Sequence, residues 1–134
     1  LHAWRSDPRG RLAEIIVLDQ FSRNIHRGTP LAFAQDAQAL TLSQVAVQAG
    51  ALDQLSEVER GFLLMPFMHS ESRDIHAQTE TLFKTHASAN TFEFERKHKA
   101  IVDRFGRYPH RNAILGRNST DEEIEFLKRP GSGF

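Results

Sequence analysis

"RLAEIIVLDQFSRNIHRG", residues 11–28, decides the fold. Leu12, Ile15 and Ile16 recur at the spacing of a helix that buries one face. Phe21 is read as part of the same face. Asp7-Pro8 precedes the run, and proline is tolerated in a first helical turn. Gly28 follows as a stop signal. The next inward positions after Ile15 and Ile16 fall near Asp19 and Arg23, which are four apart and can pair. Arg27 is the next turn of that row, and Gln20 and Asn24 form a second polar row beside it. Buried charges are costly unless paired, so this helix needs partners from elsewhere in the chain.

Outward from this stretch the whole chain reads as helix. Alternating β-branched runs are absent, and Gly and Pro fall where helices begin or end. Thr29-Pro30 predicts the start of a second helix that runs through Phe33, Ala37 and Leu40 to a cap at Gly50. "SEVE", 56–59, fits a capping box. It opens a third helix that Pro66 should kink or end near Met65. A fourth helix covers about 70–87. A fifth begins near Thr91, with Phe94, Ile101, Val102 and Phe105 on its apolar face, and runs to Gly106. "TDEE", 120–123, is a second capping box before a short last helix, and residues 131–134 form a tail. Short joins make consecutive helices antiparallel neighbours. The expected fold is all-α, an array or bundle of antiparallel helical hairpins in a single domain over residues 1–134.

The balance of charge narrows the function classes. Seventeen basic residues meet seventeen acidic ones, which argues against a dedicated nucleic-acid binder. Cysteine is absent, so disulfides and thiolate metal sites are excluded. No apolar run is long enough to span a membrane. A cytoplasmic protein without a cofactor is the expectation. The chain begins at Leu1 and enters a helical pattern almost at once, which reads as a truncated amino terminus.

Three helices offer polar groups inward: Asp19 and Arg23, then Asp36 at the edge of the second stripe, then His98 on the fifth. "RFGRYPHRN", 104–112, supplies Arg104, Arg107, His110, Arg111 and Asn112 around a Gly and a Pro, with no carboxylate. Gly106 and Pro109 break the helix, so the arginines fan out from a turn. They can clamp a ligand, or they can be neutralised by Asp121, Glu122, Glu123 and Glu125. His69 and Glu71 follow Pro66 at another hinge, where a histidine can act as a base or simply cap a helix. His-Glu-x-x-His and Gly-x-Ser-x-Gly are missing, and no metal site is expected.

Three segments carry a resemblance. "GRLAEIIVLDQFSRNIHRGTPLAFAQD" (10–36), "FLLMPFMHSE" (62–71) and "RFGRYPHRNAILGRNSTDEEIEFL" (104–127) resemble, in this order, the bacterial domain of unknown function 924 family. The resemblance implies a tetratricopeptide-repeat-like helical fold and carries no activity. It places the family's polar motif positions on Asp19, Gln20, Arg23, Asn24, Arg27, Asp36, His69, Glu71, His98, Arg104, Arg107, His110, Arg111 and Asn112. It also implies an earlier aromatic-rich helix that this chain lacks. Three function readings stay open. One is a helical interaction module with a protein partner. The second is a pocket for a small anion, phosphate or carboxylate, held by Arg23, Arg27, Arg104, Arg107 and Arg111 with Asp19, Asp36, His110 and Asn112 around them. The third is an enzyme whose catalytic groups are drawn from His69, Glu71 and His98.

Overall fold

The computed structural model describes residues 2–134. Among the described residues every regular element is helical. A 3-10 turn, His2–Ser6, leads into α1, Pro8–Ile16. Asp7 caps α1 by accepting from the backbone N–H groups of Arg9 and Gly10, and Pro8 takes the first turn, where its missing N–H costs nothing. The 3-10 turn crosses α1 so closely that a Cβ on Gly10 would sit 1.9 Å from the Trp4 carbonyl oxygen. The crossing is held by Arg5, whose guanidinium donates to both oxygens of the buried Glu14 at 2.8 and 2.6 Å.

The helix does not stop at Ile16. It widens into a π-helical turn, Val17–Phe21, and closes again as α2, Ser22–Ile25. Such widened turns often mark functional positions, and this one carries Asp19. Leu12, Ile15, Asp19 and Arg23 keep a three-four-four spacing on the inward side. Phe21 falls between those rows and is 53% exposed, which corrects its expected place on the apolar face.

The second expected helix is two pieces. Pro30–Phe33 is a 3-10 turn, and α3 begins only at Asp36 and runs to Gln48. A further 3-10 turn, Ala51–Gln54, leads to α4, Glu57–His69. Ser56 caps α4 through the Glu59 N–H, but the other half of the expected capping box is not made. The Glu59 carboxylate faces Arg9 of α1 at 3.4 Å instead. Pro66 neither ends nor breaks α4, which continues to His69. The bond that proline removes is the one to the carbonyl of Phe62, four residues back. The remaining elements are α5, Arg73–His86, and α6, Ala89–Phe105. A 3-10 turn, Pro109–Arg111, follows, and then α7, Asn112–Leu115, and α8, Asp121–Leu127. The capping box at Thr120 and Glu123 is complete.

Contacts along the helices fix their directions. Arg9 meets Glu59 and Asp19 meets His69, so α1 and its continuation run parallel to α4. The start of α3 lies at the end of α4, and the Ser43 hydroxyl donates to the Leu63 carbonyl, so these two are antiparallel. Arg73 at the start of α5 donates to the Asp103 carbonyl near the end of α6. α4, α5 and α6 therefore run up, down and up. One core fills the space between them, from Leu12 and Ile15 through Leu52, Leu63, Leu64, Phe67 and Met68 to Phe83. Burying each large apolar side chain of this kind contributes roughly 1.5–3 kcal/mol. On α6, Glu95 and His98 take the inward positions with Ile101 and Val102, while Phe94 is half exposed, contrary to the expected stripe. Gly106 ends α6 at φ 71°, a left-handed conformation that favours glycine, with the Arg73 guanidinium lying over it.

Candidate functional site

The polar groups expected inward do converge, at the end of α4. Asp19 is 1% exposed and gathers three donors. Gln20 Nε2 donates at 2.8 Å, Arg23 at 2.5 Å, and His69 Nδ1 lies 2.7 Å from the Asp19 Oδ1. Arg23 then reaches across to α3, with two parallel bonds to the Asp36 carboxylate at 2.8 and 2.9 Å. Such a fork fixes two elements in register. Burial pushes the Asp19 carboxyl up, but His69, Arg23 and Gln20 outweigh it and leave it below its ordinary value. A carboxylate accepts only, so His69 donates through Nδ1 and its Nε2 is left as an acceptor. Burial lowers the His69 pKa against the pull of Asp19, with Arg23 and Arg111 adding to the decrease.

His69 opens onto a cleft of about 280 Å³. Arg23, Arg27, Arg111, His69, His98 and His110 line it, together with Gln20, Asn24 and an apolar side made by Ala32, Phe33 and Ile114. None of its lining residues is a carboxylate. The break between the 3-10 turn Pro30–Phe33 and α3 is what brings Ala32 and Phe33 to this wall. Among the described residues, exposed Arg27 donates only to Asn24, at 3.0 Å. Arg111 is 6% exposed, and burial lowers its pKa, with nearby Arg23 adding to the effect. It donates to the His69 carbonyl at 2.9 Å and lies 3.7 Å from Asp36, while its buried Nε has no partner among the described residues. Its guanidinium sits between the rings of Phe33 and Tyr108, 4.5 and 4.7 Å from their centres. His98 gives its Nδ1 proton to the Phe94 carbonyl at 2.6 Å. Burial holds the pKa of His98 at about 4; for His110, burial and then the charge of Arg111 do the same. At neutral pH the cleft therefore holds three arginine charges and three uncharged imidazoles.

The other candidates are placed elsewhere. Arg104 pairs with Glu122 at the surface, at 2.7 Å. Arg107 makes a two-bond fork to Glu123 at 2.9 and 2.7 Å. Glu123 is buried and held at about 2, chiefly by that arginine. Asn112 is buried and donates to Ser119 and Glu123. These three residues tie the corner to α8 and do not line the cleft. Glu71 is engaged as well. It accepts from the Tyr108 N–H at 2.8 Å and from both terminal nitrogens of Arg117 at 2.9 Å. Burial alone would raise its pKa, but Arg117 and the Tyr108 N–H bring it below the ordinary value. Glu71, Asp36, His69 and Arg111 border a second, shallower cleft of about 500 Å³ on the α3 side.

Sequence reasoning passed over Arg117, the true partner of Glu71, because forty-six residues separate the two. It also passed over Phe134, read as a loose tail, whose ring lies in the cleft. Among the described residues no three His, Asp or Glu side chains stand together as a metal-ion cluster, and no helix is long and apolar enough to cross a membrane.

Residues 1–131 match the family described as bacterial protein of unknown function (DUF924), and the chain belongs to that family. It is also similar to a solved structure, a protein of unknown function, ATU0120, from Agrobacterium tumefaciens. The two are 35% identical and superpose with a TM-score of 0.90, over 94% of this chain and 71% of that one. A comparison with curated proteins finds no match.

Proposed function

We propose that this family member binds a small anionic ligand, a carboxylate or a phosphate, in the cleft at the end of α4. The observation that carries the reading is the charge of the lining: three arginines, no carboxylate, and two of the arginines without a carboxylate hydrogen bond. Arg111 is buried with an unused N–H, and leaving such a donor unpaired costs about 1–3 kcal/mol. An anion would take up that cost. Arg23, already forked onto Asp36, would position the wall and add its field. The test is calorimetric titration with inorganic phosphate and with acetate. Arg27→Ala is the variant of choice, because Arg27 is exposed and holds only Asn24. Unchanged stability with weaker binding is expected. Binding that ignores Arg27 would count against the site.

A second reading is favoured by one observation: Asp19 and His69 form an oriented dyad whose free nitrogen belongs to the same cleft. A neutral imidazole with its Nδ1 proton held by a carboxylate can accept a proton at Nε2, the task of a general base. On this reading the anion is a substrate or product, and the chemistry is proton abstraction from it or from water. A screen of phosphate and carboxylate esters would test it: turnover lost in His69→Gln, with product binding retained, is the supporting result. The interaction-module reading has less behind it. Phe21, Ile25 and Leu31 offer exposed apolar surface, but their arrangement selects no partner.

A further inference from the structure

The anion-binding reading leaves one wall of the cleft unexplained. Beside Arg111, four aromatic groups meet. The Phe134 ring stacks on His98, with centres 3.7 Å apart and planes 26° from parallel. Tyr108 meets it in a T-shaped pair at 5.6 Å and 89°, and His110 at 4.9 Å and 76°. His98 and Tyr108 also meet edge to face, at 5.7 Å and 83°. These are the offset-stacked and T-shaped geometries that aromatic pairs favour.

The box is built without Phe134. His98 is fixed by its bond to the Phe94 carbonyl, and Tyr108 is fully buried with its hydroxyl on the Met68 carbonyl at 2.5 Å. Phe134, by contrast, is 59% exposed. Among the described residues, the segment that brings it in holds itself by a single side-chain bond, from Ser132 to the Leu127 carbonyl at 3.2 Å. A rigid three-sided slot is thus filled by a weakly held ring. Arg111 lies over the Tyr108 ring and lines the same cleft.

Building on the anion reading, we propose that the cleft selects anions that carry a planar aromatic or heteroaromatic ring. The ring stacks on His98 between Tyr108 and His110, and the carboxylate or phosphate lies on Arg111 and Arg27. The Phe134 ring is the chain's own occupant of the ring subsite and competes with the ligand for it.

Matched probes test this. Phenyl phosphate is titrated against inorganic phosphate, and benzoate against acetate. The ring-bearing member of each pair should bind about tenfold more tightly, the scale of one well-placed aromatic contact plus its buried area. His98→Ala should erase that advantage and leave phosphate binding in place. Phe134→Ala changes an exposed residue and should not disturb folding. It should raise phenyl phosphate affinity severalfold and leave phosphate unaffected. Equal affinity within both pairs, or a Phe134→Ala variant that gains nothing, would overturn the proposal while the anion site stands. Binding of neither phosphate nor phenyl phosphate would sink the anion reading and this proposal together.

Discussion

Two histidine–carboxylate pairs lie a few residues apart in this protein and serve opposite ends. His69 and Asp19 meet at 2.7 Å, and His76 and Glu95 at 2.6 Å. The second pair is sealed, with both side chains 0% exposed. His76 Nε2 faces the Ser70 carbonyl at 2.6 Å and the Tyr108 hydroxyl at 3.2 Å. A carbonyl only accepts, and the Tyr108 proton is committed to Met68, so Nε2 carries a proton. Burial raises the pKa of Glu95, against the effect of His76, which favours a protonated carboxyl that donates to Nδ1. Every nitrogen is used, and the pair locks α5, α6 and the corner together. In the open pair one nitrogen is used and the other is not. What distinguishes a site from a strut here is the fate of the second nitrogen.

The sealed pair should carry the larger stability effect. Glu95→Ala leaves a buried neutral imidazole without its donor, and a loss of about 1–3 kcal/mol from the unmet hydrogen bond, enlarged by the vacated volume, is expected from urea unfolding. Glu95→Gln is the sharper variant. An amide N–H can donate to Nδ1 while Nε2–H keeps Ser70, so it should cost much less. Equal losses in the two variants would mean that the pair is an imidazolium facing a carboxylate.

The open pair should respond more in its titration than in its stability. Asp19→Asn keeps an oxygen for the His69 proton, and Arg23 keeps Asp36, so a loss of about 1–2 kcal/mol is expected. The Asp19 carboxylate raises the His69 pKa, and its removal should move the NMR titration of His69 further down. A His69 that titrates alike in both proteins would break the dyad.

Acid adds a third test. His98 and His110 sit at about 4 when folded, against 6.5 ordinarily. Between those values the unfolded chain binds more protons, so stability must fall as pH drops from about 6.5 towards 4. Glu123, at about 2 against 4.5, prolongs the loss as pH falls from 4.5 to 2. Unfolding curves across this range should lose on the order of 2 kcal/mol per imidazole in the upper window. His110→Gln should flatten the upper window, and Glu123→Gln the lower.

The sequence made the all-α fold legible because periodicity and caps are local. Leu12, Ile15 and the box at Thr120–Glu123 are read within a turn or two of helix. It also placed Asp19 and His98 inward, since a polar residue that interrupts a stripe keeps its phase. Pairing across segments was not legible. Glu71 had Arg117 waiting forty-six residues away, and Glu95 was hidden beside Phe94, where hydrophobicity pointed to the wrong neighbour. Pro66 predicts a kink in α4 or its end near Met65, and the helix instead continues past it to His69 while forgoing one backbone bond. The Phe134 ring lay beyond any periodic signal.

The same contrast of sealed and open recurs at reduced scale in the corner at 104–111. Arg107 and Arg104 both reach carboxylates on α8, three residues apart on one side and adjacent on the other. Glu123 is 3% exposed and also receives Asn112 and the Thr120 N–H, so Arg107 closes a buried network. Arg107→Ala should cost about 1–3 kcal/mol, since a buried acceptor loses its charged donor. Arg104 and Glu122 are 41% and 65% exposed, and Arg104 covers the Phe105 ring at 4.6 Å. Water screens such a pair, and its coupling should fall below about 0.5 kcal/mol in a double-mutant cycle of Arg104→Ala with Glu122→Ala. A coupling as large as that between Arg107 and Glu123 would show that exposure does not separate the two. It would also return Arg104 to the network from which the geometry excludes it.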